Sequence, residues 1–136
     1  MSKLVSELIQ EHKEITAILL ELQKTGASTA KGMDLLIQSK SSLLNHLTKE
    51  DDHLYPPLYE KAKSDSSFKR TLDTFGTEMD QLTEFVVDFY KKYTNNNNIN
   101  KTEFAKDISF FIVGFKNRIL KEEVAIYKSF EKLKID

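Results

Sequence analysis

The stretch His46-Leu47-Thr48-Lys49-Glu50-Asp51-Asp52-His53-Leu54-Tyr55 recurs, altered but in register, as Arg118-Ile119-Leu120-Lys121-Glu122-Glu123-Val124-Ala125-Ile126-Tyr127. The offset is constant, 118 − 46 = 72, and lysine, glutamate, a second acid, an aliphatic residue and tyrosine all return in place. Helical periodicity repeats polarity and size but not identity, so the two stretches read as equivalent members of a duplicated unit. Glu11-His12-Lys13-Glu14-Ile15 matches Glu78-Met79-Asp80-Gln81-Leu82 more weakly at an offset of 78 − 11 = 67, so each unit is a helix pair and the linkers differ in length.

Outward from the repeat, three clusters of turn-forming residues, Thr25 to Gly32, Lys63 to Ser67 and Thr94 to Lys101, divide the chain into four segments. Each carries an apolar stripe at steps of three and four. The first has Leu4, Leu8, His12, Ile15, Leu19 and Leu22; the second, about Met33 to Ala62, has Leu36, Leu43, Leu47, Glu50 and Leu54 with His46 beside them. The third, about Phe68 to Tyr93, has Leu72, Phe75, Met79, Leu82, Val86 and Phe89; the fourth, about Thr102 to Lys134, has Ile108, Ile112, Phe115, Ile119, Glu122 and Ile126. Strand-like alternation is missing, and Pro56-Pro57 predicts a kink or restart in the second helix. Short connections make consecutive helices antiparallel neighbours. The expectation is one all-α domain over residues 1–136, an up-down-up-down four-helix bundle with an internal pseudo-twofold repeat.

Composition narrows the function. Twenty Lys and Arg against 21 Asp and Glu leave a net charge of −1, which argues against nucleic acid as a partner. With no cysteine, disulfides, thiolate ligands, iron–sulfur clusters and a cysteine nucleophile are all excluded. The start of the chain has no apolar leader segment, and the run Phe110 to Phe115 is too short to span a bilayer, so a cytoplasmic location without membrane contact is expected. Phosphate-cradling glycine loops and Ser-His-Asp arrangements do not occur.

What the stripes do contain is polar groups on core faces. His46 and Glu50, four apart, share one helix face and suit two ligands of one metal. With His12 and Glu122 they form two imidazoles and two carboxylates, a set suited to Fe(II), Mn(II) or Zn(II). Met79 and Arg118 occupy the corresponding places of the other half. Met79 is expected to fill core space. Arg118 carries a permanent charge and five donors, so it can pair with Glu50 and Glu122. His53 and Glu78 are weaker ligand candidates. His53 has alanine as its counterpart, and Glu78, like Asp80, reaches the site only if the third helix is rotated. Glu11, Glu78, Asp80 and Glu123 read as solvated flank residues, Tyr55 and Tyr127 as hydrogen-bonding residues at the end of the site, and Gly76 as a close helix approach.

The pattern Glu11-His12, His46-x-x-x-Glu50-Asp51-x-x-Leu54-Tyr55-Pro56 and Glu122-Glu123-x-x-Ile126-Tyr127 resembles the hemerythrin-like (HHE cation-binding) domains over essentially the whole chain. Such domains hold two bridged irons with one histidine from each of the first and third helices and a His-x-x-x-Glu unit from each of the second and fourth. The resemblance implies His12, His46, Glu50 and Glu122 as ligands, with Met79 and Arg118 standing where the remaining two histidines are expected. Both exchanges fall in one half-site, so the implied cofactor is one iron or other divalent transition-metal ion, or none, and not a full di-iron centre. The implied roles are sensing or binding of dioxygen, nitric oxide or iron. A metal-free interaction bundle with Arg118 supplying the charge is the alternative, and a mononuclear iron redox enzyme a third; nothing in the sequence supplies a substrate pocket for the last. A protein partner and a homodimer stay open as expectations.

Overall fold

The computed structural model describes residues 2–136. Helix α1 spans Lys3–Thr25 and α2 spans Ala30–Lys49. A π-helical segment, Glu50–Leu54, joins α2 to α3, Tyr55–Ala62. Helix α4 spans Ser66–Tyr93 and α5 spans Lys101–Lys121; a second π-helical segment, Glu122–Ile126, leads into α6, Tyr127–Lys132. Residues 30–62 and 101–132 thus form two long interrupted rods, which with α1 and α4 make the expected four-helix bundle.

Every rod begins on a side-chain cap: Ser2 accepts from the Val5 amide, Thr29 from Gly32, Asp65 from Phe68 and Asn100 from Glu103. Each cap satisfies an amide that the first turn would leave without a partner, a contribution of about 1 kcal/mol. The α1–α2 turn depends on two glycines. Gly26 takes φ +77°, and a Cβ on Gly32 would lie 1.8 Å from the Gly26 carbonyl oxygen. Gly76, expected at a close approach, has nothing within 4 Å of where a Cβ would be. That expectation is corrected: Gly76 borders an open cleft.

Burial follows the repeat. Leu36, Ser39, Leu43, His46, Glu50, Leu54 and Leu58 are buried in the second rod, and the residues 72 positions on, Ile108, Phe111, Phe115, Arg118, Glu122, Ile126 and Phe130, are buried in the fourth. Two apolar clusters result. One, around Leu19, Leu36, Phe89, Tyr93, Phe104 and Phe111, fills the end near the α1–α2 turn; the other, around Leu8, Leu54, Leu72, Phe75 and Phe130, fills the opposite end. His12, His46, Glu50, Arg118 and Glu122 form a buried polar layer between them. No helix among the described residues is long and apolar enough to cross a membrane.

Candidate metal centre

The two π segments position this layer. An ideal α-helix turns ~100° per residue, so burial at steps of four drifts ~40° per step. From His46 the buried positions run 46, 50, 54, 58 and 62, and from Arg118 they run 118, 122, 126 and 130. The extra residue of a π turn resets that drift and keeps each glutamate and the following tyrosine aimed at the axis. The prolines are not the cause, since the fourth rod has Lys128 and Ser129 at the equivalent places and adopts the same π segment.

One ligand atom each from His12, His46, Glu50 and Glu122 lies within 4.8 Å of the others, and all four residues are buried. The two imidazoles are oriented from outside. His12 Nδ1 donates to Glu123 at 2.8 Å, and His46 Nδ1 donates to Glu11 at 2.9 Å. Glu11 is in turn paired with Lys49. A carboxylate bond at Nδ1 sets the tautomer and ring plane of a histidine that offers Nε2 to a metal. Glu11 and Glu123 are therefore not solvated flank residues, as their pattern suggested; their side chains are 25% and 33% exposed and hold the histidines. Their signal in the sequence was position: each stands one residue from a polar core residue, where it can reach across to the neighbouring helix.

With the Nδ1 protons committed outward, a neutral imidazole presents a lone pair inward. His12 Nε2 is 3.2 Å from Glu122 Oε1, and His46 Nε2 is 3.5 Å from Glu50 Oε1. His46 Nε2 and Glu122 Oε1 are buried without a hydrogen-bond partner, as is Arg118 Nε, which faces Glu122 Oε1 at 3.3 Å. Four electron-pair donors converging in this way fit a single cation of the borderline transition-metal type.

The other half of the layer is built differently. Arg118 Nη2 donates to Glu50 Oε1 at 2.8 Å and to Glu122 Oε2 at 3.3 Å, so the guanidinium bridges both carboxylates. Tyr55 donates to Glu122 Oε2 at 3.0 Å; Tyr127 donates to Glu50 Oε2 at 2.8 Å and lies 3.0 Å from His12 Nε2. Each tyrosine thus reaches the glutamate of the opposite rod. Burial and the adjacent carboxylates push both phenols well above their ordinary range, so they remain protonated donors.

Electrostatics follows the same asymmetry. Burial and the charge of Glu122 raise the Glu50 carboxyl above its usual range. Burial acts on Glu122 too, but Arg118 and the contact with His12 outweigh it and hold Glu122 well below that range. For His46, burial favours the neutral ring, yet the Glu50 and Glu11 carboxylates prevail and raise it. Two ionised glutamates against one guanidinium would leave the layer one charge negative, and the raised Glu50 and His46 show that a proton held among these groups offsets that charge, a place a bound cation can take.

Met79 is half-buried against the Leu8, Leu54 and Phe75 cluster, in keeping with a space-filling role. The structure brings neither weaker ligand candidate to the cluster. Glu78 is exposed and pairs with Lys121, and His53 is exposed. Asp80 is also exposed. A cleft of about 400 Å³ between the second rod and α4, lined among others by Asp51, Tyr55, Tyr59, Phe75, Met79 and Asp80, reaches inward to Arg118.

The family described as hemerythrin HHE cation binding domain matches residues 3–129. No curated protein and no solved structure gives a significant match.

Proposed function

This chain belongs to the hemerythrin HHE cation-binding domain family, and from that premise we propose that it binds one divalent transition-metal ion, iron foremost, in the half-site of His12 and His46, with Glu50 and Glu122 completing the set. The observation that carries the reading is the inward convergence of four lone-pair donors, two of them buried without a hydrogen-bond partner. When bound, such an ion supplies a coordination position for a small neutral ligand such as dioxygen or nitric oxide. The chain's own residues do the rest: Glu11 and Glu123 hold the rings, Tyr55 and Tyr127 donate to the carboxylates, and the two apolar clusters seal the layer from above and below. Because Arg118 takes the place of a second ion, the role is sensing or binding and not di-iron oxygen carriage.

Anaerobic Fe(II) loading followed by elemental analysis tests this. About one equivalent per chain is expected, and Arg118→His should raise the stoichiometry towards two. Less than about a tenth of an equivalent defeats the reading. A second reading rests on its own observation, the guanidinium that already bridges both glutamates. On that reading the layer is a metal-free structural device in an interaction bundle, and its signature is the absence of metal-dependent stabilisation.

A further inference from the structure

Helix α5 and the π segment after it carry an apolar stripe on the face turned away from the core. Phe110, Val113, Leu120 and Val124 are 63, 60, 63 and 58% exposed, and Asn117 lies exposed among them. The steps are three, four, three and four, the spacing of a helix–helix seam and not of scattered surface residues. The other exposed large side chains are spread over α1 to α4 and the segment after α6.

Three features make the stripe complementary to itself. Lys116 and Glu123 stand one heptad apart on the same edge with opposite charge; Glu123 Oε2 is bonded to His12, which leaves its Oε1 for the second copy. An antiparallel second copy, layered Val113 on Val124 and Asn117 on Leu120, sets Lys116 against Glu123 twice across the twofold axis. A parallel copy would instead set Lys116 against Lys121. The two ends of the stripe also differ in shape: at one, Phe110 is largely exposed with one side of its ring against Phe85, and at the other an apolar cleft of about 630 Å³, lined by Phe75, Leu120, Val124 and Ile126 among others, opens beside Val124. Antiparallel pairing places each Phe110 at the level of the other copy's cleft. Asn117, the polar position within the stripe, then lies near its own symmetry mate, which can satisfy it; a polar residue in a seam sets register in this way.

We propose that the protein self-associates as an antiparallel twofold dimer through this stripe, Phe110 of each copy seated beside Val124 of the other. An isologous contact of this kind closes on itself and does not propagate. The stripe faces away from the polar layer but meets it at its edge through Glu123, which also holds His12, so self-association is measured on the metal-free chain.

Sedimentation equilibrium of the full chain across a wide concentration range is the test. A species of twice the 15.7 kDa chain mass is expected. Leu120→Asp and Phe110→Ala should each weaken association by about tenfold or more with helicity retained, since both residues are exposed. Lys116→Glu should weaken it roughly two- to tenfold, and the loss should shrink at high salt. A monomer at every concentration overturns the proposal, as does a dimer indifferent to Leu120→Asp and Phe110→Ala. A dimer weakened by Leu120→Asp but unaffected or tightened by Lys116→Glu overturns the antiparallel arrangement.

Discussion

The helix pair formed by α1 and α2 and the pair formed by α4 and α5 descend from one pattern, yet they pack unequally. Helix α1 buries a residue on every turn, Val5, Leu8, His12, Ile15, Leu19 and Leu22. Its counterpart α4 buries Leu72 and Phe75 and then nothing until Phe89. The intervening Met79, Leu82 and Val86, which match His12, Ile15 and Leu19 at the offset of 67, are only half-buried. The half that keeps its histidines is closed, and the half that has methionine and arginine is bordered by a cleft that reaches Arg118. A guanidinium bonded to two carboxylates of the second and fourth rods asks nothing of α4, whereas a histidine ligand there would draw the helix inward. The open half is thus the one that has Met79 and Arg118 in place of His12 and His46.

Removing Arg118 should break the comparison most strongly. Arg118→Ala leaves Glu50 and Glu122 facing each other in a buried layer, and the metal-free protein should lose about 3–5 kcal/mol of unfolding free energy. If the histidine half-site accepts an ion, added divalent metal recovers part of that loss and stabilises the variant more than the wild-type chain. Denaturant titrations with and without metal measure both, and an equal metal effect on the two proteins would count against the charge-replacement account.

The next effect probes the closed half. Glu11→Ala or Glu123→Ala releases one imidazole from its orienting carboxylate and should lower metal affinity by about 10- to 100-fold. Asp80→Ala, an exposed acid on the open half, should leave affinity unchanged in the same isothermal titration. Comparable losses for all three would mean that general negative charge, not orientation, governs binding.

The smallest effect sharpens the packing contrast. Gly76→Ala meets open space within a helix interior and should stabilise the fold by about 0.5–1 kcal/mol. The same change at Gly32 should have the opposite sign in thermal unfolding, because its Cβ would collide with the Gly26 carbonyl.

Much of this architecture was readable from the chain. The stripes located four helices, the turn clusters located their ends to within a few residues, and the 72-residue offset aligned the second and fourth rods position by position. The same offset brought His46 level with Arg118 and Glu50 level with Glu122. Glu11, Glu123 and Gly76 were misread, for a common reason. A periodic pattern reports which face a residue occupies, but not how far the neighbouring helix stands from it. Glu11 and Glu123 lie at the edge of a buried face, where only the actual interhelix distance decides between solvent and a histidine ring. The π segments had a signal in the unbroken steps of four, which became clear only with the burial of each position.

By itself, then, the sequence determined the fold class, the repeat and the identity of the polar core residues, because these depend on local helical geometry and on side-chain type. Tertiary structure alone decided which nitrogen of each histidine faces inward, which glutamate each tyrosine crosses to reach, and that α4 stands off beside Met79. Those are relations between helices, set by the balance of packing and hydrogen bonding across the bundle, and no single helix carries that information.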